Sequence, residues 1–205
     1  MFPVKPPYLL QAIFSSFIWR YEPSEKKSLY LTFDDGPEPQ VTPFVLDILK
    51  QYKAKATFFC VGENVHKNPD LYKRILIEGH KTGNHSYNHL NGWKTKSENY
   101  INNIQKCALV VNSKLFRPPY GKITPKQAKL LRPFFKIVMW DVLSGDYSEQ
   151  NSEMKCYENI ANHASNGSII VFHDSLKSKK NVLSVLPKTL EHFSKKGYSF
   201  LPVPD

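Results

Sequence analysis

Leu31-Thr32-Phe33-Asp34-Asp35-Gly36-Pro37 reads as the end of an apolar strand, then two consecutive carboxylates, then an enforced turn. β-Branched and aromatic residues favour a pleated, buried strand, and Gly-Pro cannot continue one. From Leu29 onward, short runs of this kind alternate with stretches of helical period. Strands are expected at 29–33, 56–61, 81–84, 115–116, 135–140, 168–172 and 198–201. Helices are expected at 43–52, 69–78, 97–112, 125–131, 153–164 and 184–196. Three helix starts pair a capping residue with proline: Thr42-Pro43, Asn68-Pro69 and Thr124-Pro125. Strict β/α alternation predicts a parallel sheet covered by helices. The length available falls short of the roughly 250 residues typical of an eight-unit barrel. The fold class expected is therefore α/β: a distorted parallel (β/α) barrel with about seven strands, preceded by a short N-terminal helix. Residues 1–28 are read as an apolar helix and lead-in, and residues 29–205 as one domain.

The chain has 205 residues, enough for one domain that buries roughly 70% of its unfolded surface. Its three cysteines, Cys60, Cys107 and Cys156, lack CxxC spacing and read as unpaired thiols. The net charge of +10 comes from lysines spread along the whole chain, the pattern of a solvated surface. It favours anionic partners such as wall polymers or lipid headgroups, and no nucleic-acid-binding signature accompanies it. Near the N-terminus, Leu9, Leu10, Ile13, Phe14, Phe17 and Ile18 fall on one helical stripe. The apolar run is too short for the roughly 20 residues a bilayer requires, and no cleavage signature follows it. Docking of this stripe across the base of the barrel is expected, with weak membrane-surface contact as the alternative. This reading favours a cytoplasmic or membrane-peripheral protein.

Four further clusters carry chemistry: His85-Ser86-Tyr87-Asn88-His89, Arg117-Pro118-Pro119-Tyr120-Gly121, Trp140-Asp141 with Asp146, and Val171-Phe172-His173-Asp174. On the expected scheme Asp34 and Asp35 follow the first strand, His85 the third, Arg117 the fourth, Asp146 the fifth and His173 the sixth. All of them then meet on the C-terminal rim, where parallel barrels assemble their sites. Asp35, His85 and His89 would offer a divalent metal one carboxylate and two imidazoles, the two rings sharing a side if 85–89 turns helically. Ser86 stands where a zincin has its glutamate, which excludes that class. Zinc suits the donor set, and cobalt or nickel could replace it. Taken singly, each cluster has a plainer reading: a surface histidine pair, an aspartate capping a turn, a core histidine at 173.

In this order the five motifs resemble those of the NodB-homology polysaccharide deacetylases, carbohydrate esterase family 4, over nearly the whole chain from Leu29. The resemblance implies that Asp35, His85 and His89 hold the metal, with Ser86 bracing the loop of the second histidine. It makes Asp34 the base and His173 the acid that protonates the leaving amine, with Asp146 orienting His173 and raising its pKa. Arg117 would steady Asp34, and the backbone N–H of Tyr120 would face the oxyanion. The implied activity is metal-dependent removal of N-acetyl groups from an N-acetylated glycan, releasing acetate. Three departures from the family pattern stand out. Leu143-Ser144-Gly145-Asp146-Tyr147 keeps only the second acid of the fourth motif and places Tyr147 where tryptophan is usual. Val171 replaces the usual leucine but still offers an apolar wall to an acetyl methyl. Tyr147, Trp93 and Trp140 are candidate sugar platforms, Trp140 doubling as core. Two alternatives stand beside this reading: an amide hydrolase acting on a small non-sugar substrate, and a catalytically silent glycan-binding module.

Overall fold

In the computed structural model, which describes residues 3–204, β1 (Ser28–Asp34) lies at the centre of the sheet. Its alternation explains why. Leu29, Leu31 and Phe33 pack into a cluster with the surrounding helices, while Tyr30, Thr32 and Asp34 point to the other face. On that outer side Phe33 stacks between Phe58 and Phe172, at 4.9 and 5.6 Å. The remaining strands are β2 (Ala56–Cys60), β3 (Lys81–Asn84), β4 (Leu115–Phe116), β5 (Lys136–Ile137), β6 (Val142–Leu143), β7 (Ile169–His173) and β8 (Ser199–Phe200). All pairings are parallel, in the order β5-β4-β3-β2-β1-β7-β6, and β8 pairs with the start of β1. A seven-strand path curled this way is the distorted barrel expected from the alternation.

The helices are α1 (Tyr8–Ile13), α2 (Thr42–Gln51), α3 (Gly62–Lys67), α4 (Pro69–Ile77), α5 (Ser97–Ala108), α6 (Pro125–Leu131), α7 (Glu153–Ala161) and α8 (Lys179–Lys195). Only one of the three expected caps makes its capping hydrogen bond. Thr124 and Gln127 form a reciprocal capping box at α6. Asn68 makes no side-chain cap bond, and Thr42 lies inside α2, its hydroxyl turned to Asp174. Thr124→Ala is expected to lower the unfolding free energy by ~1 kcal/mol, read from the urea midpoint at constant slope.

Two expectations need correction. The strand expected at 135–140 shortens to β5, and a separate strand, β6, follows it, because the chain changes partners between them. Val138 N–H donates to the Phe116 carbonyl, but Met139 N–H turns to Ile18 and Asp141 N–H to Ile169. Asp146 therefore follows β6, a strand that escaped the sequence reading. The N-terminal stripe does not dock as a helix either. α1 spans six residues and buries none of them, with Tyr8, Leu9 and Ile13 exposed. What docks is the extended segment after it. Phe17 and Trp19 are buried, Ile18 bridges Val138, Arg20 bridges Ser168, and Tyr21 N–H donates to Gly167. This segment lies along the open seam of the sheet, from just beyond β5 to just ahead of β7, and Lys5, ahead of α1, meets the buried Asp141 at 3.3 Å. No helix among the described residues is long and apolar enough to cross a membrane.

Candidate active site

The parallel register sets the height of every group at the rim. Asp34, the last residue of β1, is level with His173, the last residue of β7, and with Phe59 of β2. Asn84 ends β3 and pairs with both Cys60 and Phe116, so His85 and Arg117 start their loops side by side. Asp146, at the end of the β6 loop, reaches His173. The sequence-predicted site residues are thus gathered around one cleft of about 370 Å³, lined by Asp34, Asp35, His85, His89, Tyr120, Tyr147, Val171 and His173 among others. That is within the size range of small-ligand pockets.

Arg117 is fully buried and spends its donors in four directions. Nη1 donates to Asp34 Oδ1 and to Thr32 Oγ1, both at 2.7 Å; Nη2 donates to the Met139 carbonyl and Nε to that of Val138. Its guanidinium lies 4.1 Å from the centre of the Phe59 ring. Phe59 fits there because residue 83 is glycine; a β-carbon on Gly83 would come within 2.4 Å of the ring. Arg117 and Asp34 form a buried, directly hydrogen-bonded ion pair, so neither charge is left uncompensated. Burial nevertheless lowers the Arg117 pKa, against the pull of Asp34.

Asp35, His85 and His89 bring three donor atoms within 4.8 Å of one another. His89 Nε2 is 3.1 Å and His85 Nε2 3.7 Å from Asp35 Oδ1. His85 Nδ1 donates to the Arg117 carbonyl at 2.8 Å, which fixes the tautomer and leaves Nε2 free to ligate. Burial, partly opposed by Asp34, lowers the His85 pKa to about 4, so the ring is neutral as a metal ligand must be. Burial raises the Asp35 carboxyl, but the hydrogen bond with His89 and the charges of His173 and His85 outweigh it and hold the group well below the usual range. Two imidazoles with an ionised carboxylate fit a divalent cation that keeps open positions. The segment 85–89 does not turn helically, so the two rings come together by another route. Ser86 and His89 both adopt left-handed φ, +60° and +54°, and Ser86 Oγ accepts from Leu90 N–H. Of the five non-glycine residues with positive φ among the described residues, four, Asp35, Ser86, His89 and Tyr120, belong to this site. Strain concentrated in this way marks a place held in shape by its surroundings.

His173 Nδ1 is 2.8 Å from Asp146 Oδ1, and its backbone N–H donates to Oδ2 of the same carboxylate. Burial alone would lower the His173 pKa; the charge and hydrogen bond of Asp146, followed by Asp35 and Asp34, overcome this and raise it to about 9. Val171 lines the cleft beside Leu143 and Trp140, and Tyr147 meets the His173 ring edge-on at 5.1 Å. Tyr120 packs on His89 at 4.5 Å. Trp93 lies outside the lining.

Asp174 is a part of the site that sequence reasoning passed over. Its buried carboxylate accepts from Thr42 Oγ1 at 2.5 Å and from Gly36 N–H at 3.1 Å, and its own N–H donates to the Asp34 carbonyl. Gly36 must lack a side chain, since a β-carbon there would lie 2.0 Å from Asp174 Oδ2. These contacts hold the Asp34-Asp35 turn against β7. The available signal was the adjacency of Asp174 to His173 at a buried strand end. Asp141, by contrast, serves the seam and not the cleft.

A polysaccharide deacetylase family profile matches residues 21–133. The chain is 39% identical over 191 residues to a peptidoglycan-N-acetylglucosamine deacetylase of Bacillus cereus, covering 88% of each sequence. It is 33% identical to the peptidoglycan-N-acetylmuramic acid deacetylase PdaC of Bacillus subtilis, covering 87% of this chain and 38% of that protein. The crystal structure of the peptidoglycan N-acetylglucosamine deacetylase Bc1960, solved with an N-hydroxybenzamide, superposes with a TM-score of 0.88 at 34% identity, covering 97% of this chain and 95% of that one. With the barrel and the rim cluster in place, these matches establish that the chain belongs to the polysaccharide deacetylase family, carbohydrate esterase family 4.

Proposed function

We propose that the protein hydrolyses the acetamide of N-acetylated amino sugars in a peptidoglycan-type glycan, releasing acetate and leaving a free amine. The observation that carries this is the β1–β7 register, which sets a carboxylate held by arginine level with an imidazolium held by carboxylate, beside a metal-type donor triad. Asp35, His85 and His89 would hold the cation, with zinc suiting the donors best and cobalt or nickel as substitutes. When bound, the cation supplies Lewis acidity, polarising the acetamide carbonyl and acidifying water.

The remaining roles fall to the chain itself. Asp34 takes the proton of the attacking water; Arg117 holds that carboxylate in place. The Tyr120 amide, on its left-handed turn, donates to the oxyanion. His173 gives its Nε2 proton to the departing amine while Asp146 secures Nδ1. Val171, Leu143 and Trp140 receive the acetyl methyl, and Tyr147 covers the sugar side of His173. The names of the relatives support peptidoglycan as the substrate class.

The test is acetate release from chitooligosaccharides and peptidoglycan fragments by metal-stripped protein, with and without zinc or cobalt. Release that depends on metal is expected. One metal bound per chain without release from either substrate would turn the reading toward another amide; neither metal binding nor release would leave a silent binding module.

A further inference from the structure

The polar groups around the cleft have partners, with one exception among the described residues. Asp34 pairs with Arg117, His173 pairs with Asp146, and Asp35 meets the His89 ring at 3.1 Å. Lys177 also lines the cleft, and among the described residues it is the only lysine or arginine that does. Its side chain is exposed and makes no hydrogen bond or ion pair with any described residue. Its backbone, however, is fixed. The 3₁₀ turn Leu176–Ser178 follows β7 directly, Ser178 is buried, and Ser175 and Ser178 hydroxyls lie 3.2 Å apart. A cation on an anchored stem, four residues beyond His173, therefore lines the cleft with no counter-charge among the described residues.

Resting on the deacetylase reading above, we infer that Lys177 is a specificity residue that pairs with a carboxylate on the glycan, borne by the sugar next to the one deacetylated. The substrate class so selected is an acidic amino-sugar glycan, one with lactyl or peptide carboxylates, in preference to a neutral chitin-like chain. A lysine ammonium suits this role because it is a mobile point charge that accepts carboxylates over a range of positions. The pair forms at the solvent edge, so its effect is modest and sensitive to salt, within a screening length of about 8 Å at physiological ionic strength.

The experiment compares three substrates with the metal-loaded enzyme: a peptidoglycan tetrasaccharide keeping its lactyl carboxylates, the same tetrasaccharide with those carboxylates amidated, and chitotetraose. The wild type is expected to favour the acidic over the amidated form, the preference shrinking as sodium chloride is raised. Lys177→Met should reduce that kcat/KM ratio about two- to five-fold, through KM, the range of an exposed ion pair. Lys50→Met makes the same charge change on α2, outside the cleft lining, and should leave the ratio in place. An equal ratio in wild type and Lys177→Met, or an equal fall in Lys50→Met, overturns the inference while leaving the deacetylase reading intact. No acetate from any of the three substrates overturns both.

Discussion

Asp34→Asn is expected to abolish turnover while the protein still binds its metal, and Asp35→Asn to do the converse, losing the metal first. Adjacent residues diverge so sharply because of where β1 ends. Asp34 is still in register with its neighbours and faces the barrel interior, where Arg117 holds one oxygen at 2.7 Å. Asp35 has left the strand with φ +85°, swinging its carboxylate to within 3.1 Å of His89. Asparagine at 34 keeps an oxygen for Arg117 and the shape of the turn but cannot take a proton from water. The loss of a general base is worth roughly 10²- to 10⁴-fold in kcat. Acetate release together with metal content per chain separates the two variants. Equal metal loss in both would mean that Asp34 helps to hold the ion and that the division of roles is wrong. Arg117 limits how cleanly the first variant behaves, since its charge is buried; a parallel denaturant titration identifies any fall in activity that is only unfolding.

The elements that sequence displayed plainly were those whose pattern and packing agree. β1 alternates between two buried faces, β7 is an apolar run that switches abruptly to His173-Asp174, and α6 carried a capping box with proline behind it. β6 was missed because it is two residues long and exists only where the chain leaves β5 for β7, a partner exchange with no local signature. α3 was missed for a similar reason, being a six-residue turn pressed between β2 and α4. At the N-terminus a helical period in the apolar residues misled, because Phe14 stacks on Phe17 across a turn and Phe17 on Trp19 where the chain becomes extended.

At the rim, residue types and order were informative and backbone shape was not. Both histidines, both aspartates and Arg117 could be named from the motifs, but the left-handed turns at Ser86 and His89 that bring the rings together could not. Neither could the contact of Thr42 with Asp174, which looked like an ordinary helix cap. In each case tertiary contacts override a local preference. Lys177 is invisible for a different reason: a lysine among many becomes distinctive only when the fold shows that, among the described lysines, it is the one lining the cleft.

Asp146→Asn is expected to lower the His173 pKa from about 9 and to reduce kcat by roughly 10²- to 10⁴-fold, the scale of a lost general acid. The substitution removes the charge and also one hydrogen bond, since a single asparagine oxygen can accept from Nδ1 and hold the same tautomer only by giving up the His173 backbone N–H. What remains is burial, which by itself pushes the imidazole down, opposed only by the more distant Asp34 and Asp35. NMR titration of the metal-free protein should therefore place the wild-type His173 midpoint near 9 and the variant's well below it. The sign of the stability effect follows from linkage. A histidine whose folded pKa is raised contributes stability that is complete below its unfolded value of 6.5 and is lost as pH rises through about 9. Wild type and Asp146→Asn should thus differ most in unfolding free energy below pH 6.5 and converge above 9. If the midpoint stays near 9 in the variant, the two rim aspartates set the proton affinity of the acid, and Asp146 does no more than orient the ring.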